Sequence, residues 1–172
     1  PPVRGIEFIL GSLPSKHHDT NYRCKCEKLA KVLKILRDGI KDGNEFIDNT
    51  RSSYFGINVI ESSTIDYNVK DLIITATHKQ KDIYTERYKD KDKYVVLENS
   101  RDYSNGEIVY EKIPKTKMEM RHAFTIHSIQ GETATEKLFI DMRKMRSMRM
   151  MYTAISRAKY ISQIVFIRSE KV

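Results

Sequence analysis

The sequence predicts an α/β protein built on a mostly parallel β-sheet, with helices on both faces. Two observations support this fold class. Short apolar runs recur along the chain, and stretches with apolar residues at helical spacing separate several of them. Strands that alternate with helices are typical of parallel sheets that are buried on both faces. Ligands are therefore expected in the loops beyond the carboxyl ends of the strands.

The elements follow one another without an internal repeat or a low-complexity linker. The short apolar runs are 6–10, 57–60, 72–76, 123–126, 138–141 and 164–167. Three helices are predicted, at residues 27–40, 79–88 and roughly 144–158. Gly39 and Gly43 are the signals that end the first of them. Residues 94–98 and 108–113 predict a β-hairpin around a turn-rich segment, and this excursion, about residues 94–120, is the one candidate insertion.

Length and composition indicate one globular domain that binds a polyanion or carries a basic, solvated surface. The chain has 172 residues and 31 Lys and Arg against 23 Asp and Glu, a net charge of +8. No apolar run approaches the roughly 18 residues of a membrane-spanning helix, so no membrane partner is expected. The first residues, P-P-V-R-G, resemble no signal peptide and include no initiating Met, so we expect a piece of a longer protein.

The two cysteines, Cys24 and Cys26, are too close in sequence for a disulfide bond between them to stabilise the fold. This favours a reducing intracellular compartment. With His17 and His18 they suggest a zinc site. However, C-x-C is a tighter spacing than structural zinc sites use. Free thiols and exposed histidines are the preferred interpretation, and no metal site is predicted.

Polar residues crowd directly after the apolar run 123–126, where core residues are not expected. Thr125 lies at the end of this run, and His127, Ser128, Gln130, Gly131 and Glu132 follow it in the segment T-I-H-S-I-Q-G-E-T. Glycine permits a sharp turn and close approach of backbone to a phosphate, and hydroxyl groups supply neutral hydrogen-bond donors. The alternative is structural: Thr125 or Ser128 caps a short helix.

Arg157 lies in the apolar, helix-like segment M-M-Y-T-A-I-S-R-A-K. A guanidinium without a partner would be costly to desolvate there. Its planar donors suit phosphate oxygens, so an anionic ligand is the favoured explanation. The alternative is an ion pair with a surface carboxylate.

These two segments closely resemble motifs V and VI of superfamily 1 helicases, which use nucleoside triphosphate hydrolysis to move along nucleic acid. The order T-x-H-x-x-Q-G matches motif V, although the family often has Lys where this chain has Ser128. The resemblance implies that Thr125, His127 and Ser128 contact nucleic acid. It also implies that Gln130, Gly131 and Glu132 couple the nucleotide site to the nucleic-acid path.

In motif VI, the resemblance makes Arg157 the arginine finger that stabilises charge on the γ-phosphate during transfer. The segment D-T-N-Y-R-C resembles motif IV and makes Arg23 a second arginine near that phosphate. The alternative for Arg23 is a surface residue beside a helix start, where its charge opposes the helix dipole. The opening P-P-V resembles the end of motif III.

The segment L-I-I-T-A-T-H-K resembles the strand and helix start between motifs IV and V. The residues that would face nucleic acid there are Thr75, Thr77, His78 and Lys79. A simple capped helix explains the same residues nearly as well.

No G-x-x-x-x-G-K-S/T phosphate loop occurs in the chain, and no Asp-Glu pair follows a strand as a magnesium site. The resemblance therefore implies that residues 1–172 form the second RecA-like domain. ATP and Mg²⁺ would be held mainly by a first RecA-like domain of the same polypeptide, and the fragment alone would be inactive.

The predicted function is that of a superfamily 1 DNA helicase, with single-stranded DNA as the favoured partner. The helicase could be a replication protein of a large DNA virus, and a viral helicase would act in the host cytoplasm or nucleus. An RNA helicase and a non-catalytic nucleic-acid-binding module of the same fold are the alternatives, because backbone and stacking contacts dominate single-strand binding.

Overall fold

The chain is described by a computed structural model over residues 24–43, 55–129 and 131–168. Its α-helices are α1 (Glu27–Lys41), α2 (His78–Arg87) and α3 (Met148–Ile155). Its strands are β1 (Asn58–Glu61), β2 (Leu72–Thr75), β3 (Tyr94–Val96), β4 (Ile108–Val109), β5 (Met118–Met120), β6 (Ala123–Thr125), β7 (Leu138–Asp141) and β8 (Ile164–Arg168). Short 3-10 helices span Ser62–Thr64, Met142–Lys144 and Ile161–Gln163.

Five strands form one parallel sheet in the order β1-β8-β7-β2-β6. β2 lies between β6 and β7, so Thr75 is level with Thr125 on one side, while Ile74 is level with Ile140 on the other. The carboxyl ends of β6, β2 and β7 therefore lie in one row. We call this row the carboxyl edge and the opposite side the amino edge. The predicted α/β fold with a mostly parallel sheet is confirmed.

Alternate residues of each strand face opposite sides of the sheet, as the pleat requires. On one side, Ile74, Phe124 and Ile140 pack into the larger core together with residues of α1 and α3. On the other side, Ile73 and Phe139 pack against Tyr84 of α2. Helices therefore cover both faces of the sheet: α1 and α3 bury apolar stripes on one face, and α2 covers the other mainly with Tyr84. This explains the nearly continuous apolar composition of the central strands.

The predicted excursion is a three-stranded antiparallel sheet, in the order β4-β3-β5, and not a two-stranded hairpin. The hairpin of β3 and β4 was predicted. β5, whose three residues are only partly buried, was not. β5 pairs with the edge of β3 that faces away from β4. Two residues separate the end of β5 from the start of β6.

The third helix is shorter than predicted. It begins at Met148 because Ser147 caps it, accepting a hydrogen bond from the Met150 amide at 3.2 Å. Met145 is fully buried although it precedes the helix. Together with Met151 and Ile155 it lies in the larger core.

A lysine is buried beside the amino end of β6. Lys93 is 1% exposed, and its ammonium donates to the Asp71 carbonyl at 2.5 Å and lies 5.6 Å from the centre of the Tyr67 ring. Burial lowers the pKa of Lys93 from 10.5 to about 8. Nearby, His122 is also buried, with Nδ1 3.0 Å from the Tyr67 hydroxyl, and burial lowers its pKa as well.

Lys93→Met is expected to raise the free energy of unfolding by about 2 to 3 kcal/mol at pH 7, because the variant no longer buries a charge. Below pH 8 the lysine is protonated in both states, so its full cost applies. As the pH rises from 8 to 10.5 the native state releases its proton first, and the advantage of the variant should shrink. Urea denaturation of both proteins at pH 7 and pH 10 measures this difference.

Lys91→Met is the matched control, because Lys91 is only half-buried and also lies 5.5 Å from the Tyr67 ring. The Lys91 ammonium also donates to a carbonyl, that of Tyr67, at 2.7 Å, so its replacement should lower the free energy of unfolding by about 1 kcal/mol or less. A Lys93→Met protein less stable than its parent at pH 7 would show that the hydrogen bond to Asp71 outweighs the cost of burial.

Candidate functional site

Two of the predicted nucleic-acid residues, Thr75 and Thr125, lie side by side at the carboxyl edge, but their side chains point inward. Thr75 is fully buried, and its hydroxyl lies 3.1 Å from the Thr77 carbonyl and 3.3 Å from the Phe124 carbonyl, the acceptors available to its single proton. Thr125 is 4% exposed. The parallel register therefore brings the two predicted segments together, as expected for neighbouring strand ends.

The turn after β6 is held by Thr125 and Ser128. The Ser128 amide donates to the Thr125 carbonyl at 3.0 Å, and the two hydroxyls are 3.1 Å apart. Both hydroxyls therefore stabilise a turn. The predicted helix cap is not formed, because no helix starts within the described residues here. Ile129 is fully buried and anchors the turn, whereas His127 and Ser128 are exposed at the edge.

The start of α2 lies at the same edge and is unusually basic. Thr77 caps the helix, accepting a hydrogen bond from the Gln80 amide at 3.3 Å, while His78 and Lys79 are exposed. The first turn contains no acidic residue. Cations at the positive end of a helix are unfavourable unless an anion is nearby. Lys81 has such partners in Asp82 and Glu119, whereas Lys79 is exposed.

Beyond this turn, Gln130 lies outside the described residues. Gly131 adopts a φ of +97°, and a Cβ at this position would meet no atom within 4 Å. Glycine is therefore required here by the backbone conformation and not by close packing. Glu132 is half-buried, and its charge adds to the effect of burial in raising the pKa of Tyr110 on the small sheet.

Arg157 lies just beyond the end of α3, on the amino-edge side. It is half-buried, its Nε donates to the Thr153 carbonyl at 3.2 Å and its Nη2 to the Ser156 hydroxyl at 3.1 Å. A cation beside the last carbonyls of a helix is favourably placed. The sequence argument from desolvation inside an apolar helix was therefore wrong in its premise, because the guanidinium has polar contacts at a helix end.

The connection from β6 to β7 joins the two edges. It leaves the carboxyl edge at Thr125, buries Ile129 and Ala134 in the core, and enters β7 at the amino edge. Near its far end the Ala134 amide donates to the Arg157 carbonyl at 2.8 Å. One segment thus touches both the predicted nucleic-acid residues and the backbone of the predicted arginine finger.

The Gln163 side chain bonds both the end of the β6–β7 connection and the segment after Arg157. Its Oε1 accepts from the amides of Lys159 and Tyr160 at 2.8 and 3.0 Å. Its Nε2 faces three carbonyls at the end of the β6–β7 connection, those of Ala134, Thr135 and Glu136, at 3.3, 3.3 and 3.0 Å. A single side chain therefore holds the segment after Arg157 against the connection.

Arg23 lies outside the described residues. Lys25, two residues later in the sequence, donates its amide to the Lys159 carbonyl at 2.8 Å. The segment that follows Arg23 is thus bonded to the segment that follows Arg157. The proximity of the two arginines themselves stays a prediction.

The described part of the chain contains no group of three or more His, Cys, Asp or Glu side chains that could hold a metal ion. Cys24 and Cys26 form no disulfide, and the Cys24 thiol lies 3.1 Å from the Cys26 carbonyl. His17 and His18 fall outside the described ranges. Among the helices that are described, none has the length and apolar character needed to cross a bilayer.

Comparison with solved structures identifies the fold. The Pif1 helicase of Candida albicans superposes with a TM-score of 0.56 at 12% identity, over 80% of this chain and 53% of that one. A Pif1 helicase from a study of DNA unwinding at forked double-stranded DNA gives a TM-score of 0.53 at 15% identity, over 84% and 48%. This chain shares its fold with part of the Pif1 helicases. It spans about half of their length. No family model and no curated protein matches the sequence.

Within this helicase-like fold, two features were missed by sequence reasoning. Gln163 gave no signal, because its role depends on contacts with residues about thirty positions earlier. Three exposed cations after β7, namely Lys144, Arg146 and Arg149, were also missed. Their signal was visible in the sequence: no acidic residue occurs from 142 to 169.

Proposed function

We propose that this chain is the second RecA-like motor domain of an ATP-dependent superfamily 1 DNA helicase. One observation carries the proposal. The β6–β7 connection starts at the edge that bears Thr125, His127 and Ser128, and its far end is hydrogen-bonded to the backbone of Arg157. The fold shared with Pif1 helicases supports the same function. A motor requires such a link, since each site must alter the affinity of the other.

In this proposal the two edges of the sheet have different ligands. Arg157, together with Arg23, faces the terminal phosphate of ATP bound to a first RecA-like domain. Contacts with Thr153 and Ser156 orient the guanidinium, whose planar donors suit phosphate oxygens. ATP with Mg²⁺ supplies the phosphoryl group, and the described residues offer no acidic cluster of their own for the metal.

At the carboxyl edge, His78, Lys79, His127 and Ser128 contact the phosphate backbone of a single strand. Gln130, Gly131 and Glu132 lie between this edge and Arg157 in the sequence, so a movement of the connection changes both sites. The role of Thr75, Thr77 and Thr125 is to hold the backbone of this edge through their hydroxyl hydrogen bonds. Phosphate contacts of this kind position a strand without reading its sequence.

The proposal predicts that the chain binds single-stranded oligonucleotides and that affinity falls as salt rises. The logarithm of the binding constant should fall by about 0.7 per phosphate contact for each tenfold increase in salt. Fluorescence anisotropy with a labelled oligonucleotide at several salt concentrations measures the slope. Affinity that does not change with salt would contradict a basic binding edge.

The same titration separates the alternatives. Matched DNA and RNA oligonucleotides test the preference for DNA, and tighter binding of RNA would favour an RNA helicase. A non-catalytic module would bind strands equally well. It is excluded if the polypeptide that carries this chain also has a phosphate loop and hydrolyses ATP in response to the strand.

A further inference from the structure

The carboxyl edge continues past β2 into a strongly basic segment. We propose that Lys144, Arg146 and Arg149, here called the basic rim, extend the binding path for a single-stranded nucleic acid. This inference rests on the proposed function and adds residues that the helicase motifs do not contain.

The local sequence is unusual in charge. Between residues 142 and 169 the chain has no Asp or Glu, while seven cations occur: Arg143, Lys144, Arg146, Arg149, Arg157, Lys159 and Arg168. Elsewhere basic and acidic residues are mixed, as in K-D-K-D-K around residues 89–93. Mixed charges indicate a solvated surface, whereas a stretch of one sign creates a field that attracts a polyanion.

The nearest carboxylate does not neutralise the basic rim. Asp141, the last residue of β7, is fully buried and accepts hydrogen bonds from the Arg143 guanidinium and from the Tyr84 hydroxyl. This pairing raises the pKa of Arg143, and the charges of Asp141 and Arg143 neutralise each other. The cations that follow Arg143 therefore face solvent without that partner.

The basic rim residues are exposed, and none forms an ion pair with another residue in the described ranges. Exposed lysines on α1 behave differently, since Lys31 pairs with Glu27 and Lys34 pairs with Asp38. The backbone of the rim is fixed by the fully buried Met145 and by the Ser147 cap. Fixed backbone lowers the entropy cost of holding a ligand.

The position of the basic rim at the carboxyl edge favours a single-stranded nucleic acid as its partner. It follows β7, whose carboxyl end lies in the same row as those of β2 and β6. Neighbouring strands are about 4.8 Å apart, so β7 is only about 10 Å from β6. The basic starts of α2 and α3 lie on opposite faces of this row, and neither first turn contains an acidic residue. A phosphodiester chain crossing the edge passes between two positive helix ends.

The test compares two variants with the same change in charge. The first replaces Lys144, Arg146 and Arg149 with Gln. The control replaces Lys28, Lys31 and Lys34, which are exposed on α1, with Gln. Single-strand binding is measured by fluorescence anisotropy over a range of salt concentrations, and thermal unfolding checks that both variants remain folded. Arg149→Lys, which keeps the charge, should restore binding relative to Arg149→Gln.

The rim variant should bind at least about tenfold more weakly near 0.1 M salt, and its salt slope should be smaller by about 2, the value for three lost phosphate contacts. The control should keep the parental slope. A rim variant with parental affinity and slope overturns the inference while leaving the proposed function standing, and so does an equal loss in the control. Preference for a duplex over a single strand overturns the assigned partner. If the parent protein binds no single strand, the proposed function fails and the inference fails with it.

Discussion

Arg157→Ala is expected to reduce nucleotide hydrolysis by about a thousandfold or more in a motor that contains this domain, while nucleotide binding stays close to that of the parent. Arginine fingers act on the charge that develops during phosphoryl transfer, so their loss affects turnover more than binding. The fold should tolerate the change. The guanidinium is half-buried, and its contacts with Thr153 and Ser156 lie at the end of α3. Steady-state hydrolysis and equilibrium binding of a labelled nucleotide measure the two effects.

Two further variants sharpen this test. Arg157→Lys keeps the charge but loses the planar donors, and it should recover only a small part of the activity. Lys159→Ala removes a neighbouring exposed cation and should leave hydrolysis nearly unchanged. Parental turnover in Arg157→Ala would remove the assignment of this arginine as the finger.

Gln163→Glu is expected to lower kcat for hydrolysis by about a hundredfold with little change in nucleotide KM. The new carboxylate keeps an acceptor for the amides of Lys159 and Tyr160 but places an oxygen against three carbonyl oxygens. The resulting repulsion should separate the β6–β7 connection from the segment after Arg157. Displacements of about 1 Å in a catalytic group can cost this much activity. This result would identify Gln163 as a positioning residue of the proposed motor.

The measurement must separate positioning from stability, because several hydrogen bonds are lost. Gln163→Ala removes the same donors without adding charge, and it should show a smaller fall in kcat. Ser162→Ala, at an exposed neighbouring position, is the control. A Gln163→Glu protein that melts at lower temperature yet keeps the parental kcat would show that this side chain only stabilises the fold.

Much of the fold could be predicted from the sequence because local patterns determine it. The apolar runs of β2, β7 and β8 and the helical spacing of α1 gave the elements and the parallel sheet. The strand order could not be obtained in this way. β1 pairs with β8, more than a hundred residues later, and such long-range pairing leaves no local trace. β5 was missed because its M-E-M sequence is only three residues long and contains no β-branched or aromatic residue.

The candidate site was predictable in composition but not in geometry. The sequence placed Thr125 after a strand, yet it could not indicate that the hydroxyl turns inward toward Ser128. The sequence predicted a helix from roughly residue 144, whereas the Ser147 cap starts it at Met148. Gln163 shows the general reason. Its five contacts join segments that only the tertiary fold brings together.

The three-stranded excursion begins and ends at almost the same point. The Arg121 amide, just after β5, donates to the carbonyl of Lys93, just before β3, at 2.9 Å. The excursion therefore leaves and re-enters the main fold at one point, while Val95 of β3 packs into the larger core. Residues 99–102, in the turn between β3 and β4, are exposed. Because the entropy of closing a loop grows only slowly with its length, such a turn tolerates additions. An engineer could graft a reporter there and leave the parallel sheet and its core unchanged.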